Sequence, residues 1–232
     1  MDDEHTNILL AIDNSLTALT IVLSQADRII EERHIQGSRP PSEIIASSVS
    51  HILSDHSYTI NDVTTLIVTV GPGSFTGIRV ALAFCKGIRA GTHIALRGVP
   101  TLDALAFPFR SMEGYYLAPL IDAKKGEVFF CLYEVQQNTL LRLTEYKAIK
   151  PEALIQYVKK PCVIVGNGAV LCERFVVDHE GFIIITQGFN QVSGEALIRC
   201  GIERIKKNEP ALCEPIYARP SEAEIKYGIT IH

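Results

Sequence analysis

Apolar positions in this chain fall into short runs broken by glycine, proline and charged residues, and the runs differ in period. In the first half, strand-like runs at 7–12, 18–23 and 28–35 precede a helix-period segment at 42–54. A strand at 65–70, a helix at 78–90 and a short strand at 93–97 follow. The second half repeats that order: strands at 116–121, 127–135 and 140–149, a helix at 151–158, a strand at 162–165 and a helix at 169–175. A strand at 182–186 and a helix at 194–207 close it. Val128-Phe129-Phe130-Cys131-Leu132-Tyr133 is β-rich and nearly all apolar, which predicts a central strand. Ala196, Leu197, Cys200, Ile202 and Ile205 mark one face of the last helix, with Ser193 in place to cap it.

Three strands, a helix, a strand and a helix, twice over, is the outline of an α/β protein of duplicated halves, each a mixed sheet with helices. That is the pattern of the actin/hexokinase/Hsp70-like (ASKHA, ribonuclease H-like) folds. The reading places an N-terminal half at 1–108 and a C-terminal half at 109–232, with the final helix packing back on the first half.

The composition is that of an ordinary globular protein, at 47% hydrophobic and 21% charged over 232 residues. A net charge of -4 argues against unspecific nucleic-acid binding, which needs a basic face. The acidic start Met1-Asp2-Asp3-Glu4 is no targeting segment, and no apolar run reaches membrane-spanning length. Cys85, Cys131, Cys162, Cys172, Cys200 and Cys213 are scattered without a Cys-x-x-Cys pair, so they read as reduced, mostly buried thiols of a cytoplasmic protein.

The segment Gly71-Pro72-Gly73-Ser74-Phe75-Thr76-Gly77 joins a predicted strand to a predicted helix. Such a loop is either an anion cradle at a helix N-terminus or a rigid structural turn. A P-loop needs a glycine where Thr76 or Ile78 stands, the dinucleotide fingerprint would need its third glycine at Thr76, and Pro72 breaks a Gly-x-Ser-x-Gly elbow. Spacing therefore favours the structural turn, with Ser74 and Thr76 the candidate anion contacts.

The helix that follows carries two apolar stripes: Val80, Ala83, Phe84 and Gly87, and beside it Ile78, Ala81, Leu82, Cys85 and Ile88. A surface helix covering one core needs a single stripe. The excess implies either a wholly interior helix or a helix that docks on another chain. Arg79, Lys86 and Arg89 cluster on the remaining face, and the preceding helix offers Ile44, Ile45, Val49, Ile52 and Leu53 beside it.

The glycine loop with Arg79 and the helix ending Lys86-Gly87 resembles the signature of the bacterial TsaB family. The likeness extends to Leu10-Ala11-Ile12-Asp13-Asn14-Ser15, Gly98 to Leu105, Ile121 to Val128, and Glu214 to Pro220. Two departures are visible: Asn14 where the family has Thr, and Pro40-Pro41-Ser42-Glu43 where the family opens its first long helix with His-Ser-Glu. The resemblance implies the actin-like fold and a non-catalytic role. The chain would bind and activate a TsaD-type transferase that makes threonylcarbamoyladenosine beside the anticodon of tRNA.

The TsaE-type ATPase would join that pair, the chain alone would be a homodimer, and tRNA would be touched mainly by the partner. The implied partner interface is Ile44, Ile45, Ile52, Ile78, Ala81, Leu82, Cys85, Lys86 and Arg89, so that Leu82→Arg would break the complex and spare the fold. ATP or ADP and a metal ion are expected on the partners, with no cofactor on this chain.

Two other readings stand beside that one: an actin-fold ATPase or small-molecule kinase, and a homodimeric scaffold. Catalytic members of the fold hold phosphates in glycine-rich turns after the first strand of each half. Here those turns are Asp13-Asn14-Ser15-Leu16, without glycine, and Asp122-Ala123-Lys124-Lys125-Gly126. Asp13, Ser15, Asp122, Gly166 and Gly168 are the candidate nucleotide contacts, and turn formation explains each as well. His51 and His56 are five apart and do not share a helix face, so no metal motif is present.

Overall fold

The computed structural model describes residues 7–37 and 39–219. The acidic start Met1–Glu4 and Pro220 of the C-terminal island lie outside them. The described residues form two compact units: 7–108 with 191–215, and 109–190 with 216–219.

The first unit has a five-stranded sheet of order β3-β2-β1-β4-β5, made of β1 (Ile8–Asp13), β2 (Leu19–Gln25), β3 (Arg28–Ile35), β4 (Val63–Gly71) and β5 (Ala95–Pro100). β1, β2 and β3 form an antiparallel meander, while β1, β4 and β5 run parallel. Every residue of β1 is buried, as an apolar strand covered on both faces must be. Helices α1 (Pro41–Asp55) and α2 (Phe75–Gly91) pack on each other and on β2 and β4. The other face takes α5 (Gly194–Lys206), where Gly201 lies against Ile67 of β4. A short helix α3 (Thr101–Ala106) follows β5.

Pro40 stands at the N-cap of α1 and Pro41 opens it, where a missing N–H costs nothing. The Pro-Pro-Ser-Glu start is thus a working helix entry.

The second unit repeats the order as β10-β7-β6-β11-β12. Its strands are β6 (Tyr116–Lys124), β7 (Glu127–Phe130), β8 (Tyr133–Gln136), β9 (Thr139–Arg142), β10 (Lys147–Ile149), β11 (Cys162–Val165) and β12 (Phe182–Ile185), with α4 at Ala169–Val176. The long strands expected at 127–135 and 140–149 are each split in two. The break falls at Cys131-Leu132, where Thr144 intervenes: Leu132 N–H donates to Thr144 Oγ1 at 3.0 Å and Leu143 N–H to Leu132 O at 2.8 Å. β7 therefore pairs with the far end of β6 and β8 with its near end. The helix expected at 151–158 is a six-residue 3₁₀ segment, Pro151–Gln156.

Cys85, Cys131, Cys162, Cys172 and Cys200 are buried and Cys213 is partly so, all as free thiols. Burial pushes the Cys85 and Cys162 thiols up to about 12, which keeps them neutral and unreactive.

Candidate functional site

The glycine loop is built around the turn after β1. A Cβ placed at Gly77 would lie 1.9 Å from the Asn14 carbonyl oxygen, and one at Gly73 2.3 Å from the Ser15 carbonyl oxygen. The loop and the turn are in backbone contact, and only glycine permits it. The contact is fastened by Ser74 N–H donating to Ser15 O at 2.7 Å and by Asn14 Nδ2–H donating to Gly77 O at 3.0 Å. Ser74 then caps α2, its hydroxyl accepting from Gly77 N–H at 3.2 Å. The Ser74 N–H is thus spent inside the unit and its hydroxyl is engaged as the helix-cap acceptor, while Ser74 and Thr76 both stand exposed at the first turn.

Asp13 closes the same assembly from below. It is 1% exposed, and its Oδ1 accepts from Ser15 N–H at 2.9 Å, Ser15 Oγ–H at 2.5 Å and Thr69 Oγ1–H at 2.6 Å. Burial raises its pKa against the opposing effect of those donors. Through Oδ1 this carboxylate ties the ends of β1 and β4 together.

The second unit uses the same device. A Cβ at Gly166, where φ is 103°, would meet Leu120 O at 2.3 Å, and one at Gly168 would meet the Leu120 and Ile121 carbonyl carbons at 3.0 Å. Gly168 N–H donates to Leu120 O at 3.1 Å, and Asn167 Oδ1 accepts from Asp122 N–H at 2.9 Å. Asp122 is occupied by its own hairpin, accepting from Lys124 N–H at 2.8 Å and pairing with Lys124 Nζ at 2.7 Å. In each half the turn into the helix rests on the turn or strand end before it.

The loop fixes the rotation of α2, and that rotation decides which stripe faces out. Gly77, Ile78, Ala81, Leu82 and Cys85 are buried against the sheet and α1. On α1, Ile45, Val49, Ile52 and Leu53 are buried likewise. Of the interface expected from the sequence, Ile45, Ile52, Ile78, Ala81, Leu82 and Cys85 are buried and fill their own unit. Ile44 is half-buried. Lys86 pairs with Glu214 at 2.6 Å and Arg89 reaches the Cys213 sulfur at 3.8 Å, so both brace the segment after α5.

The outward stripe is the other one. Phe75, Arg79, Ala83 and Gly87 are exposed, flanked by half-buried Val80 and Phe84. Phe75 is 44% exposed, with the Arg79 guanidinium 3.8 Å above its ring centre. A Cβ at Gly87 would meet nothing within 4 Å. Unlike the loop glycines, Gly87 is not required by any close neighbour among the described residues, and a mid-helix glycine costs about 1 kcal/mol relative to alanine. Sequence periodicity found both stripes, and of the small residues that permit close helix approach, Ala81, Ala83 and Gly87, the last two face outward while Ala81 is buried.

Among the described residues, no group of three or more His, Cys, Asp and Glu side chains is placed to hold a metal ion. His56 sits at the C-terminus of α1 and meets Glu31 at 2.6 Å, while His51 is exposed. Among the described residues, no helix is long and apolar enough to cross a membrane.

Residues 35–168, more than half of the chain, match the TsaD family model, described as tRNA N6-adenosine threonylcarbamoyltransferase. The chain is 27% identical over 225 residues to the Bacillus subtilis tRNA threonylcarbamoyladenosine biosynthesis protein TsaB, covering 94% of this chain and 97% of that one. It is 29% identical over 165 residues to the Escherichia coli protein of the same name, covering 69% and 71%. The solved structure of YeaZ from Pseudomonas aeruginosa superposes with a TM-score of 0.75 at 22% identity, over 91% of this chain and 99% of that one, a likeness of fold. With the family model across the centre of the chain and the Bacillus protein matched nearly end to end, the chain belongs to the TsaB family.

Proposed function

We propose that this chain is a non-catalytic subunit for making threonylcarbamoyladenosine in tRNA, and that it binds and activates a TsaD-type transferase through the outward face of α2. The observation that carries the reading is the outward stripe of exposed Phe75, Ala83 and Gly87 flanked by half-buried Val80 and Phe84, with open space at Gly87 where a partner helix can lie against the backbone. Specific interfaces bury roughly 1,600 Å² in total, and a helix of this length with α1 beside it supplies the apolar centre of one.

The alternative, an ATPase or kinase acting alone, is disfavoured by the carboxylates. Asp13 is buried in a structural network and Asp122 is held by its own hairpin. The glycines after β4 and β11 are used against neighbouring backbone rather than left open for a phosphate. On this reading nucleotide and metal belong to the TsaD-type and TsaE-type partners. The same α2 face would serve the homodimer when the chain is alone, so homodimer and heterodimer compete.

The test is a reconstituted modification assay with the TsaD-like and TsaE-like proteins of the same organism, unmodified tRNA and nucleotide. Product formation should require this chain and should fall with a Phe84→Glu variant. Full activity without the chain would overturn the proposal.

A further inference from the structure

Two lysines stand against aromatic rings at the end of the second unit at which β6, β11 and β12 begin, and two more lie on or just after β10. Residues 146–162 carry four lysines and one acid, Glu152, in a chain whose net charge is -4. Sheet register fixes their placement. Tyr116, Cys162 and Phe182 are paired neighbours on β6, β11 and β12, so their side chains share one face. Lys159 Nζ lies 5.5 Å from the centre of the Tyr116 ring, and Lys160 Nζ lies 5.1 Å from that of Phe182. Lys147, paired with Phe130 across the β10–β7 ladder, holds its Nζ 5.1 Å from the centre of the Tyr157 ring. The Lys160 stem also runs along Gly181.

Lys150, Tyr157, Lys159 and Lys160 are exposed. Among the described residues, Lys147, Lys150, Lys159 and Lys160 have no acidic partner within ion-pair distance, whereas Lys86, Lys124 and Lys207 do. Ring contacts orient the Lys147, Lys159 and Lys160 ammonium groups without neutralising them. Lys159 and Lys160 stand over Tyr116 and Phe182, which are two strand spacings or roughly 10 Å apart, whereas by register Lys147 is level with Leu120 of β6 and Lys150 follows β10 toward the opposite end of the sheet.

A pair of unneutralised cations, each braced on an aromatic ring and set about two strand spacings apart, matches nearby phosphates of a polyanion. It suits a bilayer poorly, because the rings lie against lysines and do not form a projecting apolar face. We propose that this edge of the second unit binds the phosphate backbone of RNA, as a contact made by this chain itself to the tRNA being modified. The identification of the RNA as tRNA rests on the proposed function; the surface itself does not.

The experiment is a fluorescence-anisotropy titration of the full chain with labelled, unmodified tRNA transcript at about 50 and 200 mM salt. It compares wild type with a Lys159→Gln/Lys160→Gln double variant, and with Lys206→Gln/Lys207→Gln on α5 as the control. Each lost phosphate contact removes about 0.7–0.9 from the slope of log affinity against log salt, so the double variant should be shallower by about 1.4–1.8. Its affinity at low salt should fall roughly tenfold, with the control unchanged. In the reconstituted reaction the double variant should raise the KM for tRNA and leave kcat alone.

Equal affinity and slope for wild type and variant would overturn the inference. So would a variant that loses binding to phosphatidylserine vesicles or to the TsaD-like protein but keeps its affinity for RNA. A chain that fails to associate with a TsaD-like protein, yet binds RNA through these lysines, would sink the proposed function and leave the RNA surface standing.

Discussion

Gly77→Ala tests whether the loop is a contact between backbones or merely a helix start. The added Cβ would sit 1.9 Å from the Asn14 carbonyl oxygen. Reaching an ordinary carbon–oxygen separation of roughly 3.3 Å requires a retreat of about 1.4 Å. The atoms that must yield are backbone, tied by the bond from Ser74 N–H to Ser15 O and the bond from Asn14 to Gly77 O. Losing two such bonds costs about 1 kcal/mol each, and the crowding adds about 1–3 kcal/mol. Alanine returns about 1 kcal/mol of helix propensity, so the net loss is about 2–4 kcal/mol. In a chain of this size that lowers Tm by roughly 5–15 °C.

Gly87→Ala in the same helix meets no atom within 4 Å and should raise stability by about 0.5–1 kcal/mol. Thermal melts of the purified variants by circular dichroism measure both, and hydrogen exchange over β1 and β4 assigns the loss to the first unit. Gly77→Ala as stable as wild type, or Gly87→Ala equally damaging, would refute the distinction between the two glycines.

Three further outcomes follow from the same geometry. Leu82→Arg places a charge at a position 3% exposed, so it should cost several kcal/mol and unfold the first unit; a folded variant that has lost only partner binding would show that Leu82 faces out after all. Asp13 has a raised folded pKa, so its protonated form is favoured by the fold, and the stability it contributes is present at low pH and lost as pH rises through the folded value. Wild type should therefore lose ground to Asp13→Asn between pH 3 and 7 in parallel urea titrations, and a gap moving in wild type's favour would contradict the assignment. Gly166→Ala, at φ 103° and 2.3 Å from Leu120 O, should destabilise the second unit by about 2–4 kcal/mol, and its hydrogen exchange at β6 and β11 would show whether the two loops are equivalent.

Much of the fold was legible because strands and helices here carry clean periods. The repeated order of elements was read from the sequence, and the structure adds that the strand order 3-2-1-4-5 recurs in both sheets. The split at Cys131-Leu132 was not legible, since an all-apolar run reads as continuous and the interruption comes from Thr144 in the segment between β9 and β10. The faces of α2 were legible as a pair but not as inside and outside. Ile78, Leu82 and Cys85 look as good a docking surface as Val80, Ala83 and Phe84 until the contact of Gly77 with Asn14 fixes the rotation of the helix. Asp13 and Asp122 were identified as candidate carboxylates, yet the donors that occupy them, Thr69 for one and Lys124 for the other, cannot be read from spacing alone.

The most direct test of the account is a binding titration of the chain with the TsaD-like protein of its own organism, comparing wild type, Ala83→Glu and Phe84→Glu. Both changes lie on the outward face of α2, so Tm should stay close to the wild-type value. A charge set at the apolar centre of an interface should cost about 2–4 kcal/mol, a loss of roughly 30- to 1,000-fold in affinity. Wild-type affinity in both folded variants would place the docking surface elsewhere and contradict the account.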